Sequence, residues 1–282
     1  MTTPMCITQT LRYGLMVTSM FFLASCGKDK QPEQAAIDPI VSNNTKKKKS
    51  KSQWYTGKAQ WNESSNGLSN DISGNRQVSF SYGNRNSKNI AITFDDGPHP
   101  TLTPKLLDIL KARNVKATFY VLGPLVEKHP ELTRRILREG HELGNHTWTH
   151  PDMSKMGANS VRNELQRTED TIVRVTGVKP QTMRPPYGAF RSEQKKWVFA
   201  EFGYPTILWD VDPNDWRRPG SQVVARRLIN GARGGSILLA HDIHSGTIAA
   251  MPMTLDSLIN QGYKFVTVSQ LIAQSNTATA GY

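Results

Sequence analysis

Two histidines stand four residues apart in His146-Thr147-Trp148-Thr149-His150, and two acids are adjacent at Asp95-Asp96, immediately before Gly97-Pro98. A helical turn through 146–150 would set both imidazoles on one side, a spacing suited to two metal ligands. Two imidazoles and one carboxylate leave positions open for water and substrate, as hydrolytic zinc sites require. The same ligand set suits iron or cobalt. Asp95 and Asp96 are expected to do different jobs, because successive strand side chains point to opposite sides. One can bind a metal while the other accepts a proton from the attacking water. The chain has two cysteines, Cys6 and Cys26, both near its N-terminus. The body therefore holds no disulfide and no thiolate site, and a metal there must be bound by histidine and carboxylate.

These groups need a scaffold. From Asn89 onward, short apolar or β-branched runs recur at 90–94, 117–122, 141–146, 182–187, 206–211, 236–241 and 264–268. Helical spacing fills the gaps, with Thr103-Pro104 and Pro130 as start signals and longer stretches at 158–176, 192–202, 220–231 and 252–261. Gly140, Gly177, Gly203, Gly234 and Gly262 stand where helices should stop. Strand and helix in alternation predict a parallel α/β fold, and both an open doubly wound sheet and a closed barrel satisfy the pattern. In either, the carboxyl ends of the strands share one face. Asp95 and Asp96 end the first strand, His146 and His150 follow the third, and Arg184 and Tyr187 lie in the fourth. Asp212, Asp215 and Trp216 follow the fifth, and His241 ends the sixth. Five strand ends supplying polar groups to one rim predict an active site.

Read together, TFDDGP (93–98), HTWTH (146–150), RPPYG (184–188), DPNDW (212–216) and LLAH (238–241) resemble the five motifs of the NodB-type polysaccharide deacetylases, carbohydrate esterase family 4. All five occur in family order. The resemblance implies a distorted seven-stranded (β/α) barrel with a single catalytic domain. It makes Asp95 the general base, held ionised by Arg184, and Asp96, His146 and His150 the ligands of one divalent metal. Zinc is the first expectation, with cobalt, nickel and iron as alternatives. The backbone N–H of Tyr187 would help stabilise the oxyanion, and His241 would protonate the leaving amine. Asp212 or Asp215 would orient His241, with Asp215 favoured. Trp216 and Leu238 would shape the acetyl pocket. His99, His129, His141 and His244 receive no catalytic role. The implied reaction removes N-acetyl groups from an N-acetylglucosamine-containing envelope polysaccharide, either peptidoglycan or a chitin-like oligomer. O-deacetylation of acetylxylan and a non-catalytic wall-binding lipoprotein are the competing readings.

Across 282 residues, 37% hydrophobic and 21% charged content is ordinary for a globular protein. The net charge of +12 is partly local, since residues 28–60 hold Lys28, Lys30, Lys46 to Lys49, Lys51 and Lys58 against Asp29, Glu33 and Asp38. With no nucleic-acid motif present, such a run reads as a solvated tether and not a nucleic-acid surface. Residues 13–24 form an apolar run too short to span a bilayer, preceded by Arg12 and followed by Leu23-Ala24-Ser25-Cys26, which resembles a bacterial lipobox. The expected plan is a lipoprotein signal peptide at 1–26, a polar tether at 27–85, a catalytic domain at 86–275 and a tail at 276–282. Lipid on Cys26 would hold the protein in the bacterial envelope, at the outer membrane or cell surface, and a monomer is expected.

Overall fold

The computed structural model describes residues 77–277. The expected signal peptide, Cys26 and most of the tether lie outside the described residues. The longest strand, β2 (Asn89–Asp95), organises the rest. Its sequence alternates which layer it feeds, as a period of two dictates. Ile90, Ile92 and Phe94 point outward and pack with Phe119, Val121 and Leu238 against the helices, including Leu106, Leu107 and Leu110 of α1 (Leu102–Ala112). Ala91 points inward, where it meets Tyr120, Ile207 and Ile237. Each buried aliphatic or aromatic side chain contributes about 1.5–3 kcal/mol of transfer free energy, so the outer layer carries most of the fold.

Parallel pairing spreads from β2 in both directions. On one side lie β3 (Thr118–Val121) and then β4 (Glu142–Asn145); on the other lies β6 (Ile237–His241). Single parallel bridges close the ring, from Asn145 to Met183, from Met183 to Thr206 and from Val211 to Leu238. Met183 gives only a bridge because, after the Arg184 N–H has donated to the Asn145 carbonyl at 3.0 Å, Pro185 and Pro186 have no backbone donor to carry the ladder further. β5 (Thr206–Ile207) also pairs with β1 (Ser79–Phe80), and β7 (Lys264–Phe265) pairs with the start of β2. The result is one domain, a distorted seven-stranded (β/α) barrel, as expected.

Around it run α2 (Gly123–Lys128), α3 (Pro130–Arg138), α4 (Ala158–Thr176), α5 (Ser192–Phe202), α6 (Ser221–Gly231) and α7 (Ser245–Asn260). α8 (Val268–Thr277) packs Val268, Leu271 and Ile272 onto the inward-facing cluster of Ala91, Tyr120 and Ile237, filling the barrel. Glu142 fixes this plug by accepting the Ser269 N–H at 2.9 Å and the Ser269 hydroxyl at 2.7 Å. Among the described residues no helix is long and apolar enough to cross a membrane.

Several boundaries differ from the sequence reading. The fold begins before residue 86: Phe80 is buried, the Gly83 N–H donates to the Gly235 carbonyl at 2.7 Å, and Arg85 pairs with Asp210 at 2.8 Å. A two-residue strand in a polar stretch buries one ring and leaves no apolar run to read. α7 starts at Ser245 and carries Pro252 within it, so that proline does not open the helix. The expected strand at 264–268 stops at Phe265, because Val268, Leu271 and Ile272 have helical spacing and begin α8.

Candidate active site

Asp95 closes β2 in register with His241 of β6 and Tyr120 of β3, so three neighbouring strands deliver their last inward residues to one rim. Its carboxylate is buried and its Oδ1 accepts from Arg184 at 2.8 Å. Arg184 is itself fully buried. It also donates to the Thr93 hydroxyl at 2.7 Å and to the Leu208 carbonyl at 3.2 Å, with its guanidinium over the Tyr120 ring at 4.3 Å. A planar, permanently charged donor set of this kind fixes a carboxylate in one orientation. The Arg184 carbonyl has a second task, accepting from His146 Nδ1 at 2.7 Å.

That hydrogen bond decides the His146 tautomer. With its proton on Nδ1, His146 turns the lone pair of Nε2 towards Asp96 Oδ1, 3.4 Å away. His150 Nε2 lies 3.3 Å from the same oxygen, and its Nδ1 faces the Tyr187 hydroxyl at 3.2 Å. Asp96 Oδ1 is buried without a hydrogen-bond partner, and the three ligand atoms lie within 4.8 Å of one another. An orphaned carboxylate oxygen facing two imidazole nitrogens fits a divalent cation in donor chemistry and spacing. Burial alone would raise the Asp96 pKa, but the neighbouring imidazoles, His146 first and then His241 and His150, bring it down to about 2. Burial, aided by the His146 charge, lowers the pKa of His150 and favours the neutral ligand form.

The residues 146–150 do not form the expected helical turn. Thr147 and His150 take left-handed conformations, with φ of 75° and 58°, and the loop between them hangs on Glu164 of α4. Glu164 accepts the N–H groups of Trp148 and Thr149 at 2.8 and 2.7 Å and the Thr149 hydroxyl at 2.8 Å. A helix would aim these N–H groups at its own preceding turn; here a buried carboxylate takes them. The histidines still converge, with ring centroids 5.1 Å apart.

Across the rim, His241 Nδ1 meets Asp215 Oδ1 at 2.8 Å. Asp215 Oδ2 accepts the His241 N–H at 2.8 Å and the Thr247 hydroxyl at 2.6 Å. Burial opposes the charged imidazole, yet the Asp215 hydrogen bond and charge, reinforced by Asp95 and Asp96, raise the His241 pKa to about 9. Asp212 does not share this position. It is exposed, and its Oδ1 caps the turn by accepting the Asn214 N–H at 2.7 Å.

Asp95, Asp96, His146, His150, Asp212 and His241 line one cavity of about 430 Å3 with Pro185, Tyr187, Trp209, Trp216 and Leu239. Tyr187 and Trp216 are 70% and 50% exposed, so their rings form an open apolar lip. Tyr187 has a φ of 60°, which turns its backbone sharply within Pro186–Gly188. Leu238 is not in the wall: it is fully buried in the outer core, and Leu239 lines the cavity in its place. Counting back by two from His241 gives Leu239, so strand periodicity contained the answer. Trp209 was reachable by the same count from Ile207. Glu164, Thr247 and the fully buried Asp242 had no such signal, because their roles depend on packing between distant segments.

Residues 82–207 match the polysaccharide deacetylase family. A peptidoglycan-N-acetylglucosamine deacetylase of Listeria monocytogenes is 45% identical over 190 residues, 67% of this chain and 40% of that protein. The chain thus spans well under half the length of that relative. A Bacillus cereus peptidoglycan-N-acetylglucosamine deacetylase is 40% identical over 66% of this chain and 89% of its own length. Among solved structures, a family pseudoenzyme from Bacillus anthracis superposes with a TM-score of 0.67 at 32% identity, covering 71% of this chain and 70% of that one. Fold likeness alone does not carry activity, as that neighbour shows. With 40% identity across 89% of a smaller relative, and the family match running through the segments that carry Asp95, Asp96, His146, His150 and Arg184, the chain belongs to the polysaccharide deacetylase family.

Proposed function

We propose that the protein is a metal-dependent deacetylase that removes N-acetyl groups from an N-acetylglucosamine-containing envelope polysaccharide, with peptidoglycan as the first substrate. The observation that carries this reading is the pairing of two supported groups across one cluster. Asp95, held by Arg184, and His241, held by Asp215, both line the cavity that contains Asp96, His146 and His150. The names of the relatives support a peptidoglycan substrate.

A divalent cation on Asp96, His146 and His150, zinc foremost, would polarise the acetamide carbonyl and acidify a water molecule. The chain's own residues supply the rest. Asp95 accepts the proton of the attacking water, and Arg184 holds its carboxylate in place for that purpose. The Tyr187 N–H is offered to the developing oxyanion from its left-handed turn. His241 enters the reaction protonated and delivers its proton to the departing amine nitrogen. Tyr187 and Trp216 present flat apolar faces on which a sugar ring can stack, while Leu239 and Trp209 enclose the acetyl methyl.

The test is acetate release from peptidoglycan, N-acetylglucosamine oligomers and acetylxylan, each with added zinc and with chelator. Release from the first two that stops with chelator is expected; no release from any substrate with any divalent metal sinks the reading. Release confined to acetylxylan would favour the O-deacetylase alternative. Asp95→Asn should reduce turnover at least ~100-fold while leaving zinc affinity near wild type. Loss of zinc instead would exchange the roles of Asp95 and Asp96. The Cys26 lipid anchor belongs to the same proposal, and Cys26→Ser should release the protein from the detergent phase on partition.

A further inference from the structure

Asp96 sits at a φ of 72°, a conformation that an aspartate adopts at a cost and keeps only when its surroundings fix it. Two neighbouring segments do so through the next residue, Gly97. From the β3 side, the Leu122 N–H donates to the Gly97 carbonyl at 3.0 Å. Beyond the end of β6 it is Asp242, the residue after His241, that reaches the same place. A β-carbon built on Gly97 would lie 2.3–2.7 Å from three atoms of the Asp242 carboxyl group, so only a bare backbone fits against it.

Asp242 is fully buried, and among the described residues no cation pairs with it. Its Oδ2 accepts the Thr103 hydroxyl, and the Thr103 oxygen accepts the His99 N–H at 2.7 Å. Oδ1 is buried without a partner. Burial, with the charges of Asp96 and Asp95 nearby, pushes the carboxyl up to about 7, consistent with a group kept for its hydrogen bond and shape. The chain Asp242–Thr103–His99 thus ties the end of β6 to the loop that leaves Asp96 and enters α1.

We propose that Asp242 is a positioning residue, clamping the Gly97–Thr103 loop to β6 so that the Asp95 and Asp96 carboxylates are held in register with His241. The inference rests on the deacetylase reading, in which those carboxylates act as base and ligand. It explains why an uncompensated acid is retained in a fully buried position beside the site, where an apolar residue would pack at lower cost.

The test combines zinc titration of the metal-free full-length chain by calorimetry with kcat and KM for acetate release. Asp242→Ala and Thr103→Val should each weaken zinc binding about tenfold or more and lower kcat with little change in KM. Asp242→Asn, whose carbonyl still accepts the Thr103 hydroxyl, should restore most of both. The double variant Asp242→Ala with Thr103→Val should be little worse than either alone, since both break one link. Wild-type zinc affinity and kcat in Asp242→Ala and Thr103→Val, even with a lowered Tm, would overturn the inference, as would an Asn variant no better than Ala. If Asp242→Ala does not fold, the nearly isosteric Thr103→Val decides. A wild-type chain that releases no acetate sinks the deacetylase reading separately, while the zinc titration still judges the clamp.

Discussion

Single side chains in the rim act through what holds them. In the proposed mechanism His241 is a proton donor at neutral pH, because Asp215, reinforced by Asp95 and Asp96, raises its pKa to about 9. Such an acid is lost as pH rises through that value, so kcat should decline on the alkaline side near there. Asp215→Asn keeps the shape of the partner but removes its charge, and the imidazole should then titrate towards the ordinary value near 6.5. The alkaline limb of the kcat profile should move down by a unit or more, and turnover at pH 8 should fall by up to about 30-fold. A pH profile of both proteins checks this. Much at this scale was legible beforehand. An acidic pair at a strand end and two histidines four apart are read from residue type and spacing, and the structure brings both sets together. The choice between Asp212 and Asp215 was not legible, since both follow the same strand and only packing sets one against His241 and turns the other into a turn cap. Leu238 was misplaced by one residue, which in a strand is a change of face.

Elements set the precision of the site through contacts that local patterns do not reveal. The loop 146–150 reads as a helical turn on spacing alone, yet Glu164, contributed by α4, takes its N–H groups and imposes two left-handed residues. Glu164→Ala should therefore do more than loosen a surface loop. It leaves buried N–H groups unpaired, at a cost of about 2–3 kcal/mol in unfolding free energy by urea titration. It should also weaken zinc binding, because His146 and His150 flank the released segment. Glu164→Gln, which keeps acceptor oxygen, should recover part of both. The strands and longer helices were legible because each repeats a period over several residues. β1 was not, because two residues contain no period, and α8 was hidden inside the tail of a strand pattern.

The whole molecule is a barrel whose two ends do different work. One end carries the strand termini and the cavity; α8 plugs the other, pinned through Glu142. Glu142→Ala should destabilise the domain by about 2–3 kcal/mol, and amide exchange should quicken first over residues 268–274, with kcat for acetate release nearly unchanged in the folded fraction. The alternation of strand and helix made a parallel α/β domain legible, while the closure of the ring by single bridges at Met183 and Val211 was not, since no one-residue pairing leaves a pattern.

That filled interior has a kinetic consequence. Below the rim, Arg184, Tyr120, Ile207 and Ile237 are 0% exposed, so the floor beneath the cavity is packed side chain. In the proposed reaction, acetate formed against that floor would leave through the mouth that the polymer covers. Release is then ordered, with the glycan lifting or shifting before acetate escapes. Added acetate should bind the free enzyme and compete with the polymer, raising the apparent KM and leaving kcat unaltered.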